Sequence, residues 1–235
     1  SRDDFILLNI FNLTIYHLFL ISFMKVTGTE NIDGILLKKG SSISLEKRGK
    51  YLNEVCIGLN WGAILHTSFF GLLKKRESVD LDGSVSTFDK NKKVLDTIYY
   101  HKLRSDDGAI THSGDDRVGD WDGDDNLDNE VIKINLNKID PEVEQVVFYL
   151  NSYNGQDFAK IPYSKIRIFE GNEEQVDSVF ATYNLSFKFS FTGYVSMVMG
   201  KLRREGGKWK FYTIGEPVKA SKIQDTIPII QDKYL

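Results

Sequence analysis

After Met24 the chain is built from short segments in which apolar and polar residues alternate. KKGSSISLEK (38–47) sets Ile43 and Leu45 against Ser42 and Ser44. EVCIGLNW (54–61) places Val55, Ile57 and Leu59 on one face, and EVIKINL (130–136) alternates Ile132, Ile134 and Leu136 with Lys133 and Asn135. A period of two belongs to strands, whose side chains point to opposite faces in turn. VDLDGSVSTFD (79–89) and VLDTIYY (94–100) flank a Lys-Asn-Lys-Lys turn and read as a hairpin. VEQVVFYLNSY (143–153) reads as a buried strand and SKIRIFEG (164–171) as another. VSMVMGKLRREGGKWKFYTIG (195–215) reads as a hairpin turning at Glu-Gly-Gly. The spacing predicts a mainly β chain, an antiparallel β-sandwich with one or two short helices. One helix is expected within 158–165, where Pro162 limits it. There is no βαβ rhythm and no G-x-G-x-x-G, which excludes a dinucleotide-binding fold.

The chemistry concentrates in SGDDRVGDWDGDDNLDNE (113–130). From Asp115 to Glu130 the segment holds eight acidic side chains and one Arg, a charge of −7. The whole chain carries −3, so everything else carries +4. The acidity is local. It marks a cation site and argues against nucleic acid as a partner. Asp80 and Asp82 add a second acidic pair, on one face of a strand, with Gly83 leaving room beside them. Carboxylates this dense need full solvation or a hard cation. Calcium takes six to eight oxygens in irregular geometry, whereas magnesium keeps waters and uses few carboxylates. Gly114, Gly119 and Gly123 recur between the acids as hinges for a backbone that bends around something. The EF-hand pattern fits at Asp120, Asp122 and Asp124 but fails at Asp125, where glycine belongs, and at Glu130, one place early.

KKGSSISLEK, VCIGLNW, VDLDGSV, HKLRSDDGAITHSGDDRVGDWDGDD and GKLRREGGKWKFYTIGE, in that order, resemble the TerD (tellurium-resistance, stress-protein) family. The resemblance runs from about Ile35 to about Glu216. It implies a two-sheet β-sandwich that binds calcium through its acidic loops. Carried over residue by residue, it implies Asp80, Asp82, Asp115, Asp122, Asp124, Asp125 and Glu130 as carboxylate ligands, with Asp116, Asp120 and Asp128 as further candidates in the same segment. Asp128 is the candidate to replace a glutamate that follows the Asp pair directly in the family. The chain also departs from the family at Asn60-Trp61-Gly62, where an Asp is usual, and at Trp121, where a small residue is usual. The resemblance implies a non-enzymatic role in tellurite and general stress resistance. Its implied partners are calcium and other tellurium-resistance proteins, some of them membrane-associated. A calcium-dependent membrane-surface module is the alternative expectation.

Four histidines, His17, His66, His101 and His112, stand in no nucleophile motif. The single cysteine, Cys56, falls on an apolar strand and reads as a buried structural thiol. It also precludes an internal disulfide, which points to a reducing, cytoplasmic compartment. Phe5–Met24 is apolar and long enough to span a bilayer. Residues 1–24 are expected to be a weak membrane anchor, an added helix or sequence upstream of the true start, with the sandwich occupying 25–235. The resemblance, which begins near Ile35, favours the last.

Overall fold

A computed structural model of the chain describes residues 34–68, 72–185 and 189–235. The expectations for residues 1–24 therefore lie outside the described residues. Two six-stranded sheets carry the fold. The first combines β1 (Ile35–Leu37), β5 (Glu54–Trp61), β10 (Ile110–His112), β11 (Glu130–Asn135), β13 (Ser164–Gly171) and β14 (Val176–Leu185) in the order β1-β14-β13-β5-β11-β10. The second combines β2 (Ser42–Ser44), β8 (Leu81–Phe88), β9 (Val94–Ile98), β12 (Gln145–Ser152), β15 (Ser196–Glu205) and β16 (Lys208–Val218) in the order β2-β16-β15-β12-β8-β9. Two small hairpins complete the β structure: β3 (Glu46–Lys47) with β4 (Lys50–Tyr51), and β6 (Ile64–Ser68) with β7 (Leu73–Glu77).

The expected two-sheet sandwich is present. The expected hairpins also form: Val85 opposes Ile98 in β8–β9, and Glu205 opposes Lys208 across the Gly-Gly turn of β15–β16. One pairing departs from the antiparallel rule, because β1 runs parallel to β14. In the first sheet Ile57 stands opposite both Ile132 and Ile168, which in turn meets Ala181. In the second, Phe148 pairs with Val85 and Gly200. These inward residues, with Leu59, Leu150, Met199 and Phe211, form the principal core. Gly200 is small because a Cβ there would lie 2.7 Å from the Phe211 ring.

Several central strands are buried on both faces. The outer face of the second sheet is covered by helix α1 (Ile223–Lys233), through Ile230 against Phe88, Val147, Tyr149 and Val198. The outer face of β5 is covered differently. Cys56 packs with Val131 and Phe169. Further along, Gly58 and Asn60 lie under the acidic segment: a Cβ on Gly58 would meet the Asp128 carboxylate at 2.0 Å, and Asn60 Nδ2 donates to the Leu127 carbonyl at 2.5 Å. The segment is thus part of the packing of the first sheet. The helix expected within 158–165 is reduced to a 3₁₀ turn, Phe158–Lys160, capped by Asp157. Arg204 lies 4.5 Å over the Trp209 ring and donates to the carbonyls of Val143 and Asp140.

Candidate metal centre

The acidic segment is anchored at the end of β5. Trp61 accepts at its carbonyl from Asp120 N (2.9 Å) and donates its backbone N–H to Asn129 Oδ1 (2.7 Å). Its indole donates to the Val79 carbonyl (2.8 Å), which fixes the residues just before Asp80. Gly119 has a positive φ of 70°, and a Cβ there would strike the Trp61 ring at 2.7 Å, so glycine is required on both counts. Short Asp side chains then turn the backbone. Asp116 Oδ1 accepts from the N–H groups of Val118 and Gly119. Asp124 and Asp125 accept from Asn126 N and Leu127 N in the same way.

Six of the ten expected ligands converge, in two groups. Carboxylate oxygens of Asp80, Asp82 and Asp115 lie within 4.8 Å of one another, and so do those of Asp120, Asp124 and Asp125. The first group is the more buried: Asp80 and Asp82 are 7% and 6% exposed. Asp80 accepts from Asn154 Nδ2 (3.3 Å), and Asp115 accepts from Arg117 Nε (2.9 Å). No donor from the described residues reaches Asp82. Burial, and then the charges of Glu130, Asp80 and Asp115, push its carboxyl up to about 7. Burial and Asp115 raise Asp80 as well. This is what close, partly desolvated like charges do when their counter-charge is incomplete.

Glu130 lies beneath this group, fully buried, accepting from Gly83 N at 2.7 Å. Gly83 has no side chain because Glu130 occupies its space: a Cβ would lie 2.4 Å from Oε2. His112 completes the floor. Its Nε2 donates to the Gly83 carbonyl at 3.0 Å and stands 3.4 Å from Glu130, while Nδ1 accepts from Gly114 N at 3.1 Å. Burial opposes charge on this ring, but Glu130 outweighs it and raises the pKa.

In the second group Asp120 accepts from Tyr163 Oη (2.6 Å), Asn60 Nδ2 (3.1 Å) and Asn129 Nδ2 (3.1 Å). Asp124 is bonded to Lys165, whose charge already neutralises part of this cluster. The four remaining expected residues stand apart. Asp116 is occupied in turn-making and with Asn129. Asp122 is exposed and paired with Arg76 at 3.0 Å. Glu130 is the floor of the first group. Asp128 is gripped by Arg167, which donates Nε at 3.0 and 3.1 Å and Nη2 at 2.8 Å, and also bonds the Asn126 carbonyl. The supporting residues Arg167, Asn129, Asn154 and Tyr163 carry no acidic signature in the sequence. The donor set at Asp80, Asp82 and Asp115 suits a hard divalent cation, since it is all oxygen and carries three anions against the single exposed Arg117.

The TerD domain family profile matches residues 34–226. Tellurium resistance protein TerZ of Serratia marcescens is 34% identical over 192 residues, covering 81% of this chain and 94% of that protein. Stress response protein SCP2 of Bacillus subtilis (strain 168) is 31% identical over 205 residues, covering 82% and 97%. The crystal structure of a homologue of telluride resistance protein (TerD) from Streptomyces coelicolor A3(2) matches with a TM-score of 0.54 at 17% identity. It covers 74% of this chain and 94% of that one, and the likeness is one of fold. With most of its length matched by the profile and by relatives above 30% identity, this chain belongs to the TerD domain family of tellurium-resistance and stress-response proteins.

Proposed function

We propose that the chain is a non-enzymatic calcium-binding module of the tellurite and general stress response. Calcium neutralises the acidic segment, and the surface it orders engages partner proteins. Asp82 is the observation that carries this reading: a carboxylate 6% exposed, without a donor from the described residues, facing Asp80 and Asp115 within 4.8 Å. A buried anion in that position needs a cation or a proton. The Asp80, Asp82 and Asp115 group is the principal site. Asp120, Asp124 and Asp125 form a weaker one because Lys165 competes there. The named relatives supply the stress-resistance context.

The described histidines and the cysteine support a role without catalysis. His66 is paired with Glu77, His101 stacks on Tyr99 and meets Tyr100 edge-on, and His112 is engaged on both ring nitrogens. Cys56 is buried, which leaves no accessible thiol for tellurite reduction. Thermal melting in calcium and in EGTA tests the proposal. Ligand at about 100 times its dissociation constant adds about 2.7 kcal/mol of stability, and an unchanged midpoint overturns the reading.

A further inference from the structure

The β6–β7 hairpin leaves the sandwich beside the acidic segment. Its root is pinned there: Ala63 N donates to the Asp120 carbonyl and Val79 N to the Val118 carbonyl, both at 3.0 Å, and Arg76 pairs with Asp122. The two strands pair from Ile64–Glu77 to Ser68–Leu73. Past Ile64 the described residues of the hairpin bury no face. Leu65 is 46% exposed, Leu73 59% and Leu72 83%. A two-stranded ribbon of this kind is marginal in water, and clustered exposed leucines mark an interaction site.

The arrangement of the side chains selects the partner. Directly opposed residues of an antiparallel pair share a face. Leu65 therefore shares a face with Arg76, while Leu73 lies on the other face with Ser68, His66 and Lys75. A protein groove receives one face of a ribbon and leaves the other leucine in water. A lipid interface surrounds the ribbon and receives both. The charge agrees. Arg76 is paired with Asp122 and Glu77 is hydrogen-bonded to His66, whereas Lys74 and Lys75, two cations against the single Glu77 anion, are exposed with no acidic partner among the described residues. The uncompensated charge of the hairpin is therefore positive and sits directly behind Leu72 and Leu73. Apolar side chains in the acyl boundary with ammonium groups at headgroup level is how interfacial segments bind.

We propose that the β6–β7 hairpin docks on an anionic lipid bilayer, with Leu65, Leu72 and Leu73 entering the interface and Lys74 and Lys75 meeting the lipid phosphates. The bare acidic segment at its root repels such a surface, so a bound divalent cation strengthens docking. That dependence alone rests on the cation-binding reading above.

Co-sedimentation of the full chain with phosphatidylcholine–phosphatidylserine vesicles, in calcium and in EGTA, tests this, with pure phosphatidylcholine as the uncharged control. The chain is expected to bind the serine-containing vesicles. Lys74→Ser and Lys75→Ser each weaken binding about fivefold, and the double variant Leu72→Ser/Leu73→Ser weakens it by at least about tenfold. These positions are exposed, so melting midpoints and calcium titrations of the variants stay at wild-type values. No vesicle binding in either buffer overturns the proposal. So does binding that the leucine variant retains, or a leucine-dependent dimer in place of vesicle binding. Equal binding in both buffers, together with no calcium uptake by calorimetry, refutes the cation reading and leaves the docking element standing.

Discussion

Arg167 on β13 grips both carboxylate oxygens of Asp128, 39 residues away at the end of the acidic segment, with donor distances of 2.8 to 3.1 Å. The Asp128 side chain is 1% exposed and the Arg167 side chain 10%. The pair fastens the segment to the first sheet. Asp128 therefore serves the fold, standing apart from both convergent groups.

Removing one partner strands the other charge in the interior. Arg167→Ala is expected to lower stability by about 3–5 kcal/mol. The paired replacement Arg167→Met/Asp128→Leu is expected to cost less than Arg167→Ala alone. Urea denaturation of the variants measures both. A loss below about 1 kcal/mol for Arg167→Ala would mean that the segment is not fastened this way.

Gly83 gives up its side chain to Glu130. Gly83→Ala places a methyl 2.4 Å from the Glu130 carboxylate and 2.5 Å from Leu59 Cδ1. A loss of about 1–3 kcal/mol is expected from overpacking, with weakened cation affinity as the floor of the Asp80, Asp82 and Asp115 group shifts. Denaturation and calorimetry on the same variant measure the two effects.

Asp82 gives the site a pH signature. Its carboxyl stands at about 7 when the site is bare, against an ordinary value of 3.8. A raised carboxyl favours the folded state at low pH, and that contribution is lost as the pH rises from about 4 to about 7. Without divalent ions, Asp82→Asn should therefore gain stability over the wild type across this window. Saturating calcium should reverse the order, because only the wild type then gains the ion. Parallel pH profiles for the two proteins in EGTA would contradict this.

Cys56 should be inert in the native state. Burial pushes its thiol up to about 11, so only about one molecule in ten thousand carries a thiolate near pH 7. Reaction with a thiol reagent should follow unfolding, becoming fast only in denaturant. Rapid stoichiometric modification of the native protein would refute a structural role.

Much of the sandwich was legible in the residues. EVCIGLNW and SKIRIFEG coincide with β5 and β13, and the Glu-Gly-Gly turn marks the β15–β16 hairpin. What escaped has physical reasons. β14 (VDSVFATYNL) buries too few residues to show a clean alternation. The β6–β7 hairpin reads as an apolar stretch because its leucines are exposed instead of buried. Helix α1 contains Pro228 and begins at Lys222 without a side-chain cap, so the usual start and continuation signals are missing. At the site, the density of Asp residues announced a cation site but neither the number of convergent groups nor their membership. The fates of Asp128 and Asp122 depend on Arg167 and Arg76, which are distant in sequence. A pattern of acids records where charge accumulates, and long-range cations decide which part of it stays uncompensated.

Calorimetric titration of the ion-free protein with calcium tests the central claim most directly, with Asp82→Asn alongside. The account predicts saturable uptake by the wild type and loss of the tighter phase in the variant. No uptake by the wild type at concentrations on the order of millimolar, or identical isotherms for the two proteins, would contradict it.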